Sequence, residues 1–413
     1  MPDSSEGGPP DVAPSPSPQS PKDTANVPPP APFPLGRPEY TDSQQEQLAK
    51  IIALVRLKFS VGQEYLREGA ALEFYLYEIQ KDTKSNFASL VSELGPIGYT
   101  AVLRRTEHGM LLTVLRKQPY PKQKFKIPLI LLAATIITVL ADGIIRATTY
   151  SDPVTHSVGL AQGVIIGLIY TAALMGILGV HELGHKIAAW HHKMSSSWPY
   201  FIPGIPGIWP TMGAVIRAPE PPLNRDSLFD LGLSGPIAGL VVTLIVSIIA
   251  VESAKIVPLS ALATSPQTTN PDYYTGLLIS FFRPSSQASL IAGPTFTLLY
   301  LAYSIGFLVT FLNLFPAWQL DGGHITNSAV SPRVHQILTY ASAIVMLFIQ
   351  FYFMAILVLV LGSTTPSLRP LDDVSPLSAK RKVLFVLVWV LSAAIYLTVI
   401  YNNAFFGLQP IIR

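Results

Sequence analysis

Ala161–Val180 is a run of twenty residues without one charged side chain. A helix of about that length crosses the hydrocarbon core of a bilayer. Backbone polar groups in lipid must bond internally, so the run is helical. It ends directly in His181-Glu182-Leu183-Gly184-His185, which sets three ionisable side chains at membrane depth. Such groups are costly there and mark functional sites. Histidines four apart lie one above the other on a helix, so both imidazoles can reach one zinc ion. Glu182 beside them is placed to take a proton from an attacking water.

The 413 residues include no cysteine, so any metal must be held by His, Asp or Glu. Hydrophobic residues make up 49% of the chain and charged ones only 13%, the balance of a multispanning membrane protein. A net charge of +3, without a basic, aromatic-interleaved patch, gives no footing for nucleic acid.

Residues 1–38 are dense in proline and nearly free of large apolar side chains. They read as a disordered tail, with no signal-peptide core and too much acid for an organellar transit peptide. Residues 39–119 read as a small soluble α+β domain. A helix capped at Thr41 or Asp42 runs to about Phe59, a strand covers Leu72–Tyr77, and a helix covers Asn86–Leu94. A hairpin of Tyr99–Arg105 and Met110–Arg116 turns near His108.

Residues 120–413 read as the membrane domain, with about six transmembrane helices and a re-entrant β segment. The first span, roughly Ile127–Thr148, follows Arg116, Lys117, Lys122, Lys124 and Lys126. This puts its start on the cytoplasmic side of the cell membrane, together with the His181 end of the second span. Asp142 and Arg146 lie four apart in the first span and are expected to pair structurally. His191 and His192 read as interfacial. Residues 194–232 are apolar yet broken by Pro and Gly, so they suit an extended segment re-entering beside the histidines. Further spans are expected at about Leu233–Ala254, Pro294–Leu314, Val334–Leu361 and Lys382–Tyr401, with amphipathic pieces at Tyr273–Phe282. A six-span count leaves Lys380-Arg381-Lys382 on the outer side, against the charge rule, unless 334–361 is a bent hairpin. Asp321 follows the fourth span, so topology returns it to the level of His181 and His185. Pro316 and Gly322-Gly323 are expected to bend and loosen the backbone that aims it. His324, one helical turn from Asp321, is expected to support the site from behind the ligands or to have no role in it.

Three motifs together, His181–His185, Gly235–Gly239 (Gly-Pro-x-x-Gly) and Asn313–Gly322 (Asn-x-x-Pro-x-x-x-Leu-Asp-Gly), resemble the site-2 protease family of intramembrane zinc metalloproteases, peptidase family M50. The Gly213-Ala214-Val215 stretch adds to the likeness. The arrangement is similar to prokaryotic and chloroplast-type members that lack a PDZ module. The resemblance implies one zinc ion held by His181, His185 and Asp321, with Glu182 as general base and acid. It also implies that Asn313, Gly213, Ala214 and Val215 hold the substrate backbone. The expected activity is hydrolysis of peptide bonds within or near transmembrane segments, with single-span membrane proteins as substrates. Two rivals from other classes are a non-proteolytic scaffold or chaperone with a vestigial metal site, and a metal transporter. The intact Glu182 and Asp321 argue against the first. The second calls for acidic or His residues along several spans, whereas here they gather at one level.

Overall fold

A computed structural model describes residues 42–67, 71–77, 82–107, 109–118, 125–149, 158–216, 220–257, 273–282, 290–365 and 367–397. The expected tail, His108, Lys122 and Lys124 lie outside them. The chain divides into two units, residues 1–52 and 53–413, and the first is described only over the start of helix α1 (Asp42–Lys58).

In the second unit, β1 (Val61–Arg67), β2 (Ala71–Leu76), β3 (Tyr99–Thr106) and β4 (Gly109–Arg116) form an antiparallel sheet of order β1-β2-β4-β3. β3 and β4 alternate buried and half-exposed residues, the period of a strand with one covered face. Leu72, Phe74, Leu103, Leu112 and Val114 are buried with Phe87, Leu90 and Leu94 of α2 (Thr83–Leu94). β1 has no counterpart among the strands expected from the sequence. Its Val-Gly-Gln-Glu start lacks apolar alternation, and among the described residues it pairs only with β2.

Residues 371–373 run beside the other edge. Leu103 N–H donates to Leu371 O (2.9 Å) and Asp373 N–H to Leu103 O (3.2 Å). The same segment donates from Leu371 to Pro222 O (2.7 Å) and from Asp372 to Leu223 O (2.9 Å). It therefore joins the sheet to the chain just ahead of the helix that begins at Arg225.

Among the described residues, four helices are long and apolar enough to cross a membrane: α3 (Lys126–Thr149), α4 (Leu160–His191), α5 (Arg225–Ser253) and α7 (Pro294–Asn313). Between α5 and α7 lie β7 (Lys255–Val257), α6 (Tyr273–Phe282) and β8 (Leu290–Ala292), with β7 and β8 paired antiparallel. α4 packs against α3, α5 and α7. Their shared core holds Tyr170, Leu174 and Ile177 of α4, Leu240 of α5, and Tyr303, Phe307 and Phe311 of α7.

The broken apolar stretch is a hairpin of β5 (Tyr200–Ile205) and β6 (Trp209–Val215). It lies lengthwise along α3. At one end the Phe125 and Trp198 rings meet at 5.5 Å. Further on, Thr138 Oγ1 lies 3.4 Å from Pro210 O, and at the tip Gly207 N–H reaches Asp142 Oδ1 at 2.7 Å. From Phe125 to Asp142 a helix rises about 25 Å, close to the depth of the hydrocarbon core.

Two boundaries differ from the sequence reading. α5 starts at Arg225 rather than near Leu233, because Asn224 and Ser227 form a capping box that starts the helix earlier. Val334–Leu361 is not one span. It folds as α9 (Pro332–Phe348) and α10 (Tyr352–Thr364), which pack together across a break where Gln350 has φ 68°. The described residues thus hold four full-length candidate spans rather than six. Their last helix, α11 (Ala379–Ile395), begins beside the start of α5. There Arg381 binds Asp226 (3.0 Å) and Asp230 (2.7 Å from Nε), and Lys84 of α2 also binds Asp226 (2.6 Å). The bend brings Lys380-Arg381-Lys382 back to the His191 end of the bundle, so the charge conflict disappears.

Candidate metal centre

His181 and His185 sit one turn apart near the end of α4, with their Nε2 atoms 3.2 Å apart. Asp321 opens α8 (Asp321–Ala329). Its Oδ2 lies 3.3 Å from His181 Nε2 and its Oδ1 3.3 Å from His185 Nε2. Ligands about 2.0–2.1 Å from a tetrahedral zinc ion stand about 3.3–3.4 Å from each other. The three side chains already have that spacing, and among the described residues they are the group able to hold a metal.

The surroundings prepare these atoms for a cation. His185 Nδ1 lies 2.8 Å from Leu231 O. A carbonyl only accepts, so Nδ1 carries the proton and Nε2 keeps its lone pair for a metal. His181 Nδ1 and Asp321 Oδ2 are buried without a hydrogen-bond partner. A buried carboxylate oxygen with no donor is costly, and a cation would satisfy it. The residues present fit zinc.

Glycines bring the helices this close. A Cβ on Gly235 would run into the His185 ring, and one on Gly239 would lie 3.0 Å from His181 Cβ. A Cβ on Gly232 would lie 2.6 Å from Asp321 O. These three positions share one face of α5, so its backbone rests against both imidazoles and the Asp321 turn. Gly322 and Gly323 do not loosen the chain as the sequence suggested. They are buried in the first turn of α8, against the Leu314, Ala317 and Trp318 carbonyls, where a side chain has no room.

Glu182 is buried on the same turn as His181 and His185. Asn313 ends α7 with Nδ2 3.3 Å from His181 Nε2. Three further described histidines, His191, His192 and His324, are not in the group of three. His192 Nε2 binds Asp230 Oδ2 at 2.8 Å, His191 lies edge-on to His192, and His324 is outside the ligand group.

Gly213, Ala214 and Val215 lie in β6, where Ala214 pairs with Phe201 and Val215 with Tyr200. Gly213 has φ 92°, and its N–H donates to Thr211 Oγ1 at 3.2 Å, so that donor is already engaged. β6 touches α4. Two contributors escaped the sequence reading, the Leu231 carbonyl and the individual glycine–imidazole contacts. The 232/235/239 spacing was their one visible signal.

Residues 169–357 match Peptidase family M50. The chain is 28% identical over 166 residues to "Probable zinc metalloprotease EGY2, chloroplastic" of Oryza sativa subsp. indica, a match covering 39% of this chain and 28% of that protein. It is 30% identical over 159 residues to "Probable zinc metalloprotease EGY1, chloroplastic" of Arabidopsis thaliana, covering 38% and 28%. The chain thus spans under a third of the length of these relatives. No solved structure matches it.

Proposed function

We propose that this chain, whose residues 169–357 match Peptidase family M50, is an intramembrane zinc endopeptidase cutting within or near transmembrane segments of membrane proteins. The observation that carries the proposal is the metal-spaced triangle of His181, His185 and Asp321, with Glu182 beside it on a membrane-length helix. In this reading, zinc held by the three side chains supplies Lewis acidity toward the scissile carbonyl.

The protein does the rest. Glu182 takes the proton of the attacking water and returns it to the leaving amine. Leu231 O holds the His185 ring in place. Asn313 frees its amide to grip the substrate backbone, because His181 Nε2 is committed to the metal. A substrate helix hides its carbonyls in its own hydrogen bonds and must unwind. Gly213, Ala214 and Val215 on β6 offer an edge for the extended form, since among the described residues β6 pairs only with β5.

Residues 39–119 form a soluble domain on the same side as the site, residues 120–413 form the membrane domain, and single-span proteins are the substrates. The basic residues around the start of α3 face the cytoplasm of a cell membrane. The test is cleavage of a model transmembrane substrate in liposomes by the purified chain. Activity that needs zinc and Glu182 supports the proposal. A zinc-loaded wild type that cuts nothing across a panel of single-span substrates overturns it.

A further inference from the structure

Asp142 lies in the last third of α3 and is fully buried. A carboxylate at that depth needs partners, and its two oxygens divide the work. Oδ2 binds Arg146 Nε at 2.8 Å and accepts from Tyr170 Oη of α4 at 3.2 Å. Oδ1 accepts from Gly207 N–H at 2.7 Å, at the tip of the β5–β6 hairpin. Gly143 makes the approach possible, since a Cβ there would lie 2.8 Å from the Tyr170 ring and 3.0 Å from Gly167 Cα.

The tip needs this acceptor. Pro206 has no N–H, and Ile208 N–H donates within the turn to Ile205 O at 3.1 Å. Gly207 N–H therefore points out of the hairpin, among the exposed apolar side chains of Ile205, Ile208 and Trp209. An unmade backbone bond in such surroundings is costly. The Arg146 pair engages Oδ2 and leaves Oδ1 for the hairpin.

The lever is long. From Gly207 to Gly213 a strand extends about 20 Å, so a small swing at an unpinned tip displaces the whole of β6. We propose that Asp142 is a positioning residue: from inside the first span it pins the hairpin tip and so fixes how β6 presents its edge to substrate. The substrate half of this statement rests on the endopeptidase reading; the pinning does not.

Three variants separate the roles. Asp142→Asn keeps an oxygen for Gly207 N–H but gives up the charge. Asp142→Leu removes both, and Asp142→Leu with Arg146→Leu removes the charge left unpaired. Hydrogen exchange in nanodiscs should show residues 200–215 losing protection in both Leu variants and keeping it in Asp142→Asn, with residues 225–253 unchanged throughout. With a transmembrane substrate, the Leu variants should raise KM about tenfold while kcat stays within about threefold and zinc content is unaltered. Asp142→Asn should stay close to wild type.

Unchanged hairpin protection in the Leu variants overturns the proposal. So does protection lost across 225–253 as well, which would make Asp142 a support of the whole bundle. Equal damage from Asn and Leu would assign the residue to Arg146 instead. If wild type cuts nothing, the exchange measurement still decides the pinning, and only the endopeptidase reading fails.

Discussion

Gly235 lies against the imidazole of His185 so closely that a methyl group at its Cα would occupy the ring's place. The contact couples the packing of α5 on α4 to the aim of a side chain proposed to hold the metal. Gly235→Ala should therefore lower zinc affinity and cleavage by at least about tenfold, the effect expected when a ligand's support is disturbed. Gly176→Ala is the control, because a Cβ there meets only Val242 at an ordinary 4.0 Å. Metal analysis after dialysis against a graded chelator reads the difference; equal zinc retention in both variants refutes the coupling.

Ligands and the proton carrier should fail differently. Asp321→Ala and His181→Ala each remove one corner of the triangle, so zinc and activity fall together. Glu182→Ala leaves the corners intact and should keep about one zinc per chain, as a three-ligand site implies. Its cleavage should fall by about 10²–10⁴-fold, the usual worth of general acid–base catalysis. The endopeptidase reading is falsified if this variant cuts at the wild-type rate.

Gly213 sits at φ 92°, a conformation that costs an L-residue about 1–2 kcal/mol and that proline's fixed ring excludes. Gly213→Pro should abolish cleavage while zinc stays bound, and Gly213→Ala should impair it less. Turnover that survives the proline would move the substrate strand elsewhere.

Sidedness can be read by labelling. Ser85 is exposed on α2 and Glu252 is exposed at the far end of α5. The chain has no native cysteine, so cysteines placed singly at these sites should react from opposite faces of a sealed vesicle. Reaction of both from one face would contradict the topology.

The grouping of His181, His185 and Asp321 could be read from the sequence because helical spacing aligns His181 with His185, and an alternation of spans returns Asp321 to their level. The structure brings these three side chains together. What holds them could not be read, since Gly235 and Leu231 act through contacts that depend on which helix packs where. The apolar run through 334–361 misled for a related reason. Hydropathy records composition, and a single Gln350 with positive φ is enough to turn the chain. The start of α5 was also hidden, because Arg225, Asp226 and Asp230 look like loop residues until Lys84, Arg381 and His192 are seen to pair with the carboxylates.

The segment 371–373 has a bearing on modularity. It occupies the edge of β3 at Leu103 and binds Pro222 and Leu223 just ahead of α5. A sheet transplanted onto another membrane core without these residues would present raw strand edge, a template for pairing between copies. A core stripped of its sheet would leave Leu371 and Asp373 with unmade backbone bonds. Sheet and bundle are therefore not interchangeable parts: a working chimera must carry the strap from the α10–α11 connection with whichever half it keeps.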